Sequence, residues 1–388
     1  MSKDLSEDFV KLNNLSITNL LEYIESSDVE EQFITDIGKV KLNSLSITNL
    51  LQCIESSGVK EQFITDIGQD KYNTILRDMR NESTIAGMRD FHNWIKRVLI
   101  TNVVRMLQKK YDVSLLDIAV GRGGDLSKWN TAHIKYVFGF DRSEKSISNE
   151  NPEDPGAVER LKTFKGAKFK DIRFEVGSAI RPNKELLGKI DTFISKNKIG
   201  KFDIVSCQFA MHYFFRTETD LRIVLTLVNK YISPGGFFIG TTINGDTVKN
   251  LFRDISEKVY STDLFRIQRN FNKTPKSPYG NEYLFTIFDT KDKTNYFNTI
   301  GVSTEYLVNF KALEAVAGEF GLAPVKLNIF EEYSMGDKKK GYVELKKNLI
   351  PFADILKLGI WKPKEHELSA KEKELNKLYT TFIFQKVA

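Results

Sequence analysis

From Ile85 onward apolar residues recur at helical spacing. Met88, Phe91, Ile95, Leu99, Val103 and Met106 follow at intervals of three or four, which predicts one long amphipathic helix. The pattern then changes. Short apolar runs at 115–120, 134–140, 172–176, 202–207 and 237–241 alternate with stretches of helical character. Two later runs, 283–288 and 379–384, are aromatic and β-branched and read as further strands. Strands alternating with helices predict an α/β fold, with a mostly parallel sheet covered by helices on both faces. The stretch 362–377 is charged and reads as a solvated helix or loop, and the basic run 338–340 as a surface loop.

Before this pattern begins, residues 12–38 recur almost unchanged at 42–68. Ile17, Leu20, Leu21 and Ile24 in the first copy match Ile47, Leu50, Leu51 and Ile54 in the second, all at helical spacing. Ser16 and Ser46 suit helix N-caps, and Gly38 and Gly68 close the units. Two copies fall short of the roughly three repeats that a solenoid needs. The chain therefore divides into a duplicated helical extension over 1–70 and a larger domain over 71–388. Neither copy carries evident chemistry. The extension reads as a tolerated addition, with a partner-docking or RNA-guiding arm as the functional alternative.

Composition narrows the picture modestly. A net charge of +6 with well-mixed signs permits a nucleic-acid partner without requiring one. The two cysteines, Cys53 and Cys207, form no CxxC, and the four histidines form no HxxxH, so neither a metal site nor a disulfide framework is expected. Lone thiols fit a reducing compartment. A polar, acidic start and the lack of a bilayer-length apolar run predict an intracellular protein without membrane association, cytoplasmic or nuclear, or in a viral factory or virion if viral.

The strongest local signal is Leu115-Leu116-Asp117-Ile118-Ala119-Val120-Gly121-Arg122-Gly123-Gly124-Asp125-Leu126, a buried strand entering a glycine-rich turn and then a helix. Small residues at Ala119, Gly121 and Gly123 allow a ligand close to the backbone. About 20 residues on, Asp141 ends the next strand, where an acid can accept from both hydroxyls of a ribose. A nicotinamide-binding turn would carry a third glycine where Leu126 stands. An acid at Asp125 also suits a pyrophosphate poorly and a cationic, amino-acid-bearing cofactor better.

Six ordered segments then match one family. The glycine turn 115–129, Arg89-Asp90-Phe91-His92-Asn93-Trp94-Ile95-Lys96, Cys207-Gln208-Phe209-Ala210-Met211-His212-Tyr213, the strand 236–241, Glu305-Tyr306-Leu307-Val308 and the stretch 379–386 resemble the mRNA cap guanine-N7 methyltransferases of eukaryotes and large DNA viruses. The resemblance covers about residues 72–388. It implies a class I S-adenosylmethionine-dependent methyltransferase, with a seven-stranded sheet whose last strand is antiparallel. It implies S-adenosylmethionine as cofactor, held by Lys96, Asp117, Ala119, Gly121, Asp125, Asp141, Ser178, Gln208 and Tyr213. It implies a GpppN-capped RNA as substrate, met by His92, Arg122, Phe209, His212, Tyr213, Glu305 and Tyr379, with other capping-enzyme subunits or domains as candidate partners. Three positions depart from the family pattern. His92 replaces an asparagine, Ala119 replaces a glycine, and Gly177-Ser178 stands where an aspartate is usual.

The residue types suit that chemistry. Guanine N7 carries an in-plane lone pair, so no general base is needed and placement of the reactants can do the work. Aromatic faces such as Phe209 and Tyr213 favour the positive charge that arrives on the ring. Glu305 can accept from N1–H and the exocyclic amine, the edge that distinguishes guanine from adenine. His92 and Lys96, four apart, share a helix face. Two other functions compete: another RNA or small-molecule methyltransferase of this fold, and a non-catalytic stimulatory subunit. The first would need neither Glu305 nor the 208–213 segment, and the second should have lost the glycine turn and Asp141.

Overall fold

The computed structural model describes residues 83–107, 112–151, 154–288, 302–325, 349–363 and 365–387. The duplicated segment, Cys53, the boundary at 70–71 and the basic run 338–340 lie outside the described residues.

Helix α1 (Ala86–Met106) is the predicted amphipathic helix. Its apolar stripe, Met88, Phe91, Ile95, Leu99 and Val103, is buried. The main sheet follows in βα alternation: β1 (Ser114–Asp117), α2 (Leu126–Thr131), β2 (Tyr136–Asp141), α3 (Glu144–Ser148), α4 (Ala157–Thr163), β3 (Asp171–Val176), α5 (Lys184–Asn197), β4 (Phe202–Gln208), a 3₁₀ turn (Met211–Phe215), α6 (Glu218–Tyr231) and β5 (Ile232–Ile243). Next come α7 (Gly245–Leu251), β6 (Val259–Ser261), β7 (Phe265–Arg269), β8 (Glu282–Ile287), β9 (Ser303–Tyr306), α8 (Phe310–Glu319) and β10 (Leu322–Pro324). The chain closes with β11 (Leu349–Pro351), α9 (Phe352–Lys357), α10 (Ala370–Asn376) and β12 (Tyr379–Lys386).

The main sheet runs β10-β12-β5-β4-β1-β2-β3. Strands β1 to β5 pair in parallel, and β12 lies antiparallel to both β5 and β10. These are the expected seven strands, mostly parallel with an antiparallel last strand, and the three-residue β11 is added alongside β12. β1 and β4 are buried along their whole length, as strands covered on both faces must be. Strand order reverses between β1 and β4, so a cleft opens at their carboxyl ends.

Two expectations are corrected. The run 115–120 is strand only to Asp117, because the Asp117 carboxylate accepts from Ala119 N–H (3.2 Å) and turns the chain toward the glycines. The charged stretch 362–377 is not simply solvated. Its helix α10 buries Glu372, Leu375 and Asn376, and the Glu372 carboxylate both closes a capping box with Ser369 and accepts from Met88 N–H at 2.7 Å. The strand read at 283–288 is β8, which lies outside the main sheet. It belongs to a separate antiparallel sheet, β6-β7-β8-β9, which places Tyr283 opposite Glu305.

Candidate functional site

The glycine turn is tied to both neighbouring strands. Ile118 N–H donates to Ser206 O at 3.0 Å, and Val120 N–H to Phe140 O at 3.1 Å. Gly121 and Gly123 have φ of 52° and 69°, which side chains rarely tolerate. Asp141 fixes the turn from across β2. One carboxylate oxygen accepts from Gly121 N–H and the other from Ser143 N–H, both at 2.9 Å. The turn and its acid are thus one unit, although they are distant in sequence.

Beside the turn sits a charged trio. The Asp125 Oδ1 atom lies 2.6 Å from Lys96 Nζ and 2.8 Å from Lys128 Nζ. Burial opposes ionisation of Asp125, but the two lysines outweigh it and hold its pKa at about 2. Two lysines against one carboxylate leave the trio net positive. The trio therefore suits an incoming carboxylate, the acidic end of an amino-acid-bearing ligand. Lys128, missed in the sequence, completes this balance.

Asp117, buried beneath, has its pKa raised to about 7 by burial and then by Asp125. A carboxyl that holds its proton more tightly when folded loses stabilising power as pH rises from about 4 to about 7. Asp117→Asn cannot ionise. It is expected to be more stable than the parent chain at pH 8 by on the order of a few kcal/mol, with the gap closing toward pH 4. Urea melts of the cofactor-free protein at both ends of this range would show it, and parallel melts with no gap would contradict it.

At the end of β4, Gln208 accepts from Thr241 Oγ1 at 2.9 Å and donates to Ser206 Oγ at 3.2 Å. The next residue, Phe209, has φ of 53°, a strained value for a bulky side chain. Its N–H donates to Thr241 O at 2.8 Å, which fixes the kink. The kink aims the ring into the cleft, where it meets two cavities. One, of about 250 Å³, is lined by Ala119, Asp141, Ser178, Gln208, Phe209 and Tyr213, with Arg142 and Ile180 at its edge. The other, also about 250 Å³, is lined by His92, Lys96, Phe209, His212, Tyr213, Glu305 and Tyr379 over an apolar floor that includes Phe285 and Ile287. Phe209 and Tyr213 belong to both.

The second cavity is aromatic with one buried acid. Glu305 is 2% exposed; Tyr283 OH donates to its Oε2 at 2.7 Å and His212 Nε2 lies 3.6 Å from its Oε1. Burial lowers the pKa of His212 despite Glu305. Neither ring nitrogen of His212 has a hydrogen bond in this structure. Tyr379 meets His92 edge-on at 4.7 Å and Phe209 at 5.6 Å. Tyr213 OH pairs with Ser303 Oγ at 3.2 Å, and the Arg142 guanidinium lies 5.6 Å from its ring centre.

Most residues singled out from the sequence therefore converge on two adjoining cavities, with Asp117, Gly121 and Asp125 around the turn that borders them. Arg122 lines neither cavity; its guanidinium pairs with Asp154. Tyr283, Ser303, Arg142 and Asn376 were not foreseen. An aromatic opposite Glu305 in a neighbouring strand is the only signal that could have suggested Tyr283. Among the described residues no cluster could hold a metal ion and no helix is long and apolar enough to cross a membrane.

Residues 56–387 match the family described as mRNA (guanine-N(7))-methyltransferase domain. The mRNA cap guanine-N(7) methyltransferase 1 of Arabidopsis thaliana is 31% identical over 320 residues, covering 79% of this chain and 76% of that protein. The mRNA cap guanine-N(7) methyltransferase of Schizosaccharomyces pombe is 29% identical over 313 residues, covering 79% and 77%. Among solved structures, the CcbJ methyltransferase of Streptomyces caelestis aligns over 75% of this chain and 90% of its own, with 10% identity and a TM-score of 0.43.

Proposed function

Because the chain belongs to the mRNA (guanine-N7)-methyltransferase family, we propose that its two adjoining cavities hold S-adenosylmethionine and the capping guanine of an RNA 5′ end. The reaction is methyl transfer from S-adenosylmethionine to guanine N7 of the mRNA cap. One observation carries the assignment of sites. Phe209 and Tyr213 wall both cavities, with Asp141 on one side and Glu305 on the other.

The residues present fit the cofactor. Asp141 accepts ribose hydroxyls, Ala119 and Ser178 leave room beside the backbone, and Gln208 lies along the same wall. The net positive trio of Lys96, Asp125 and Lys128 receives the amino-acid carboxylate, with Asp117 and Gly121 shaping the turn beneath. When bound, S-adenosylmethionine supplies a methyl group made electrophilic by its sulfonium.

On the other side Glu305 accepts from guanine N1–H and the exocyclic amine. Tyr283 holds that carboxylate in place. His92, His212 and Tyr379 enclose the purine. No residue has to remove a proton, because N7 already presents its lone pair. The faces of Phe209 and Tyr213 favour the positive charge that the guanine acquires. Arg122 is left out of the cap contacts because Asp154 engages it. A non-catalytic subunit is disfavoured by the intact turn and Asp141. The substrate requires a preceding reaction that joins guanosine 5′–5′ through triphosphate to RNA, so the enzymes of that step are the natural partners, in the nucleus or the cytoplasm.

The test is a methyl-transfer assay on GpppN-capped RNA, followed by digestion and location of the methyl group. Label on guanine N7, and none when adenosine replaces the capping guanosine, is the expected result. Label on a ribose, or efficient methylation of uncapped RNA, would overturn the cap assignment and leave methyl transfer standing.

A further inference from the structure

His92 stands where the family has asparagine, and its surroundings define its chemistry. Asn376, in α10, is fully buried. Its Nδ2 donates to Glu372 O at 2.7 Å. A backbone carbonyl can only accept, so the amide cannot be flipped. The Oδ1 of Asn376 is thereby committed to its other partner, His92 Nε2, at 2.7 Å. An acceptor at that distance requires a proton on Nε2. The ring carries no second proton: burial, offset in part by Asn376 and reinforced by Lys96, brings the His92 pKa to about 3. Of the other titratable groups around it, Glu372 has its oxygens turned to Met88 N–H and Ser369, and Tyr379 meets the imidazole with its ring. Phe209 stacks on the imidazole at 4.9 Å and 18°, which fixes its plane.

We propose that Asn376 is a positioning residue that fixes His92 as the Nε2–H tautomer, so that His92 offers the guanosine in this pocket a hydrogen-bond acceptor, Nδ1, and no donor. This inference rests on the reading of the second cavity as the guanosine site.

The consequence is a selection rule. O6, N7 and N3 of guanine are acceptors, and a lone pair facing them repels. The donors of guanosine are N1–H, the two amine hydrogens and the ribose hydroxyls. Glu305 can take N1–H and one amine hydrogen. The acceptor on His92 therefore meets one of the donors left over, a ribose hydroxyl or the second amine hydrogen. The locked imidazole can only accept.

The first arm of the test is proton–nitrogen correlation NMR of the full isotope-labelled chain. The expected spectrum shows His92 neutral and protonated at Nε2, without titration between about pH 5 and pH 8. A proton on Nδ1, or titration near the ordinary histidine value, overturns the inference. The second arm uses His92→Phe, which keeps the stack on Phe209 and removes the acceptor. Its KM for capped RNA should rise about tenfold, with kcat and cofactor affinity unchanged. A KM equal to that of the parent overturns the inference.

Caps lacking the ribose hydroxyls, or carrying inosine in place of guanosine, identify the donor. If a ribose hydroxyl is the partner, the cap lacking it should cost the parent chain about the same factor and cost His92→Phe nothing further. Inosine also removes the amine hydrogen assigned to Glu305, so if the second amine hydrogen is the partner, inosine should cost the parent chain about tenfold more than it costs His92→Phe. Full additivity with both caps overturns the selection rule. Asn376→Leu should mix the two tautomers in the spectrum and raise KM toward the His92→Phe value; if that variant does not fold, the parent spectrum and His92→Phe decide alone. Failure of the parent chain to methylate capped RNA would instead defeat the functional reading, which separates the two.

Discussion

Asp141→Ala is expected to abolish measurable cofactor binding. The carboxylate is assigned to the ribose hydroxyls, and it also holds Gly121 N–H and Ser143 N–H at 2.9 Å. Removing it takes away charge-assisted hydrogen bonds worth roughly 1.5–3 kcal/mol each. It also frees a turn that needs left-handed glycines to keep its shape. Two such losses weaken binding by roughly two to four orders of magnitude. Asp141→Asn keeps the volume and one acceptor, so its affinity should fall between the two. Calorimetry with S-adenosylmethionine reads the effect, and a thermal melt confirms that the variant is folded. Undiminished affinity in folded Asp141→Ala would sink the assignment of the first cavity.

Glu305→Ala should separate the two cavities functionally. Glu305 is buried in the second cavity and does not line the first. The expected result is a fall in kcat/KM for capped RNA of roughly a hundredfold or more, because guanine donors would then enter a dry site without an acceptor. Affinity for S-adenosylmethionine should stay within about twofold of the parent. The substitution also leaves the buried Tyr283 hydroxyl without its acceptor, at a stability cost of about 1–3 kcal/mol. Glu305→Gln restores that hydroxyl's partner but turns an amine toward the guanine donors, so it should recover stability more than activity. If Glu305→Ala methylates capped RNA at the parental rate, the guanine edge is read by something else.

The parts of this molecule legible in its sequence are those governed by local periodicity. Helix α1 was visible because one stripe, Met88 through Val103, is buried along its length. β4 was visible because it is buried on both faces and Phe202, Ile204, Val205 and Cys207 dominate its run. The end of β1 was overextended because Ile118 and Val120 are as apolar as the strand, while the turn is imposed by the Asp117 side chain and the glycines. The second sheet was missed as a unit. Its strands β6, β7 and β9 are three to five residues long with mixed burial, too short to show a period.

The site divides the same way. Asp141 and the glycine turn carry a spacing that local chemistry explains. The pairs that set the character of the second cavity do not. Tyr283 and Glu305 meet only through strand register, and His92 and Asn376 come from opposite ends of the domain. Lys128 sits one helical turn beyond Asp125 and passes for an ordinary surface lysine until its burial is known.

The position of β12 has a consequence for how the protein is made. β12 lies between β5 and β10, so the last strand of the sheet is inserted into its interior rather than added at an edge. A nascent chain emerging from the ribosome cannot close this sheet until residue 386 has been synthesised, and until then β5 presents an open edge. Every residue lining the first cavity has left the ribosome long before that, whereas the second waits for Tyr379. Synthesis therefore completes the cofactor half first. A nascent chain stalled ahead of β12 retains an unpaired hydrophobic edge, the form in which chaperones would meet it.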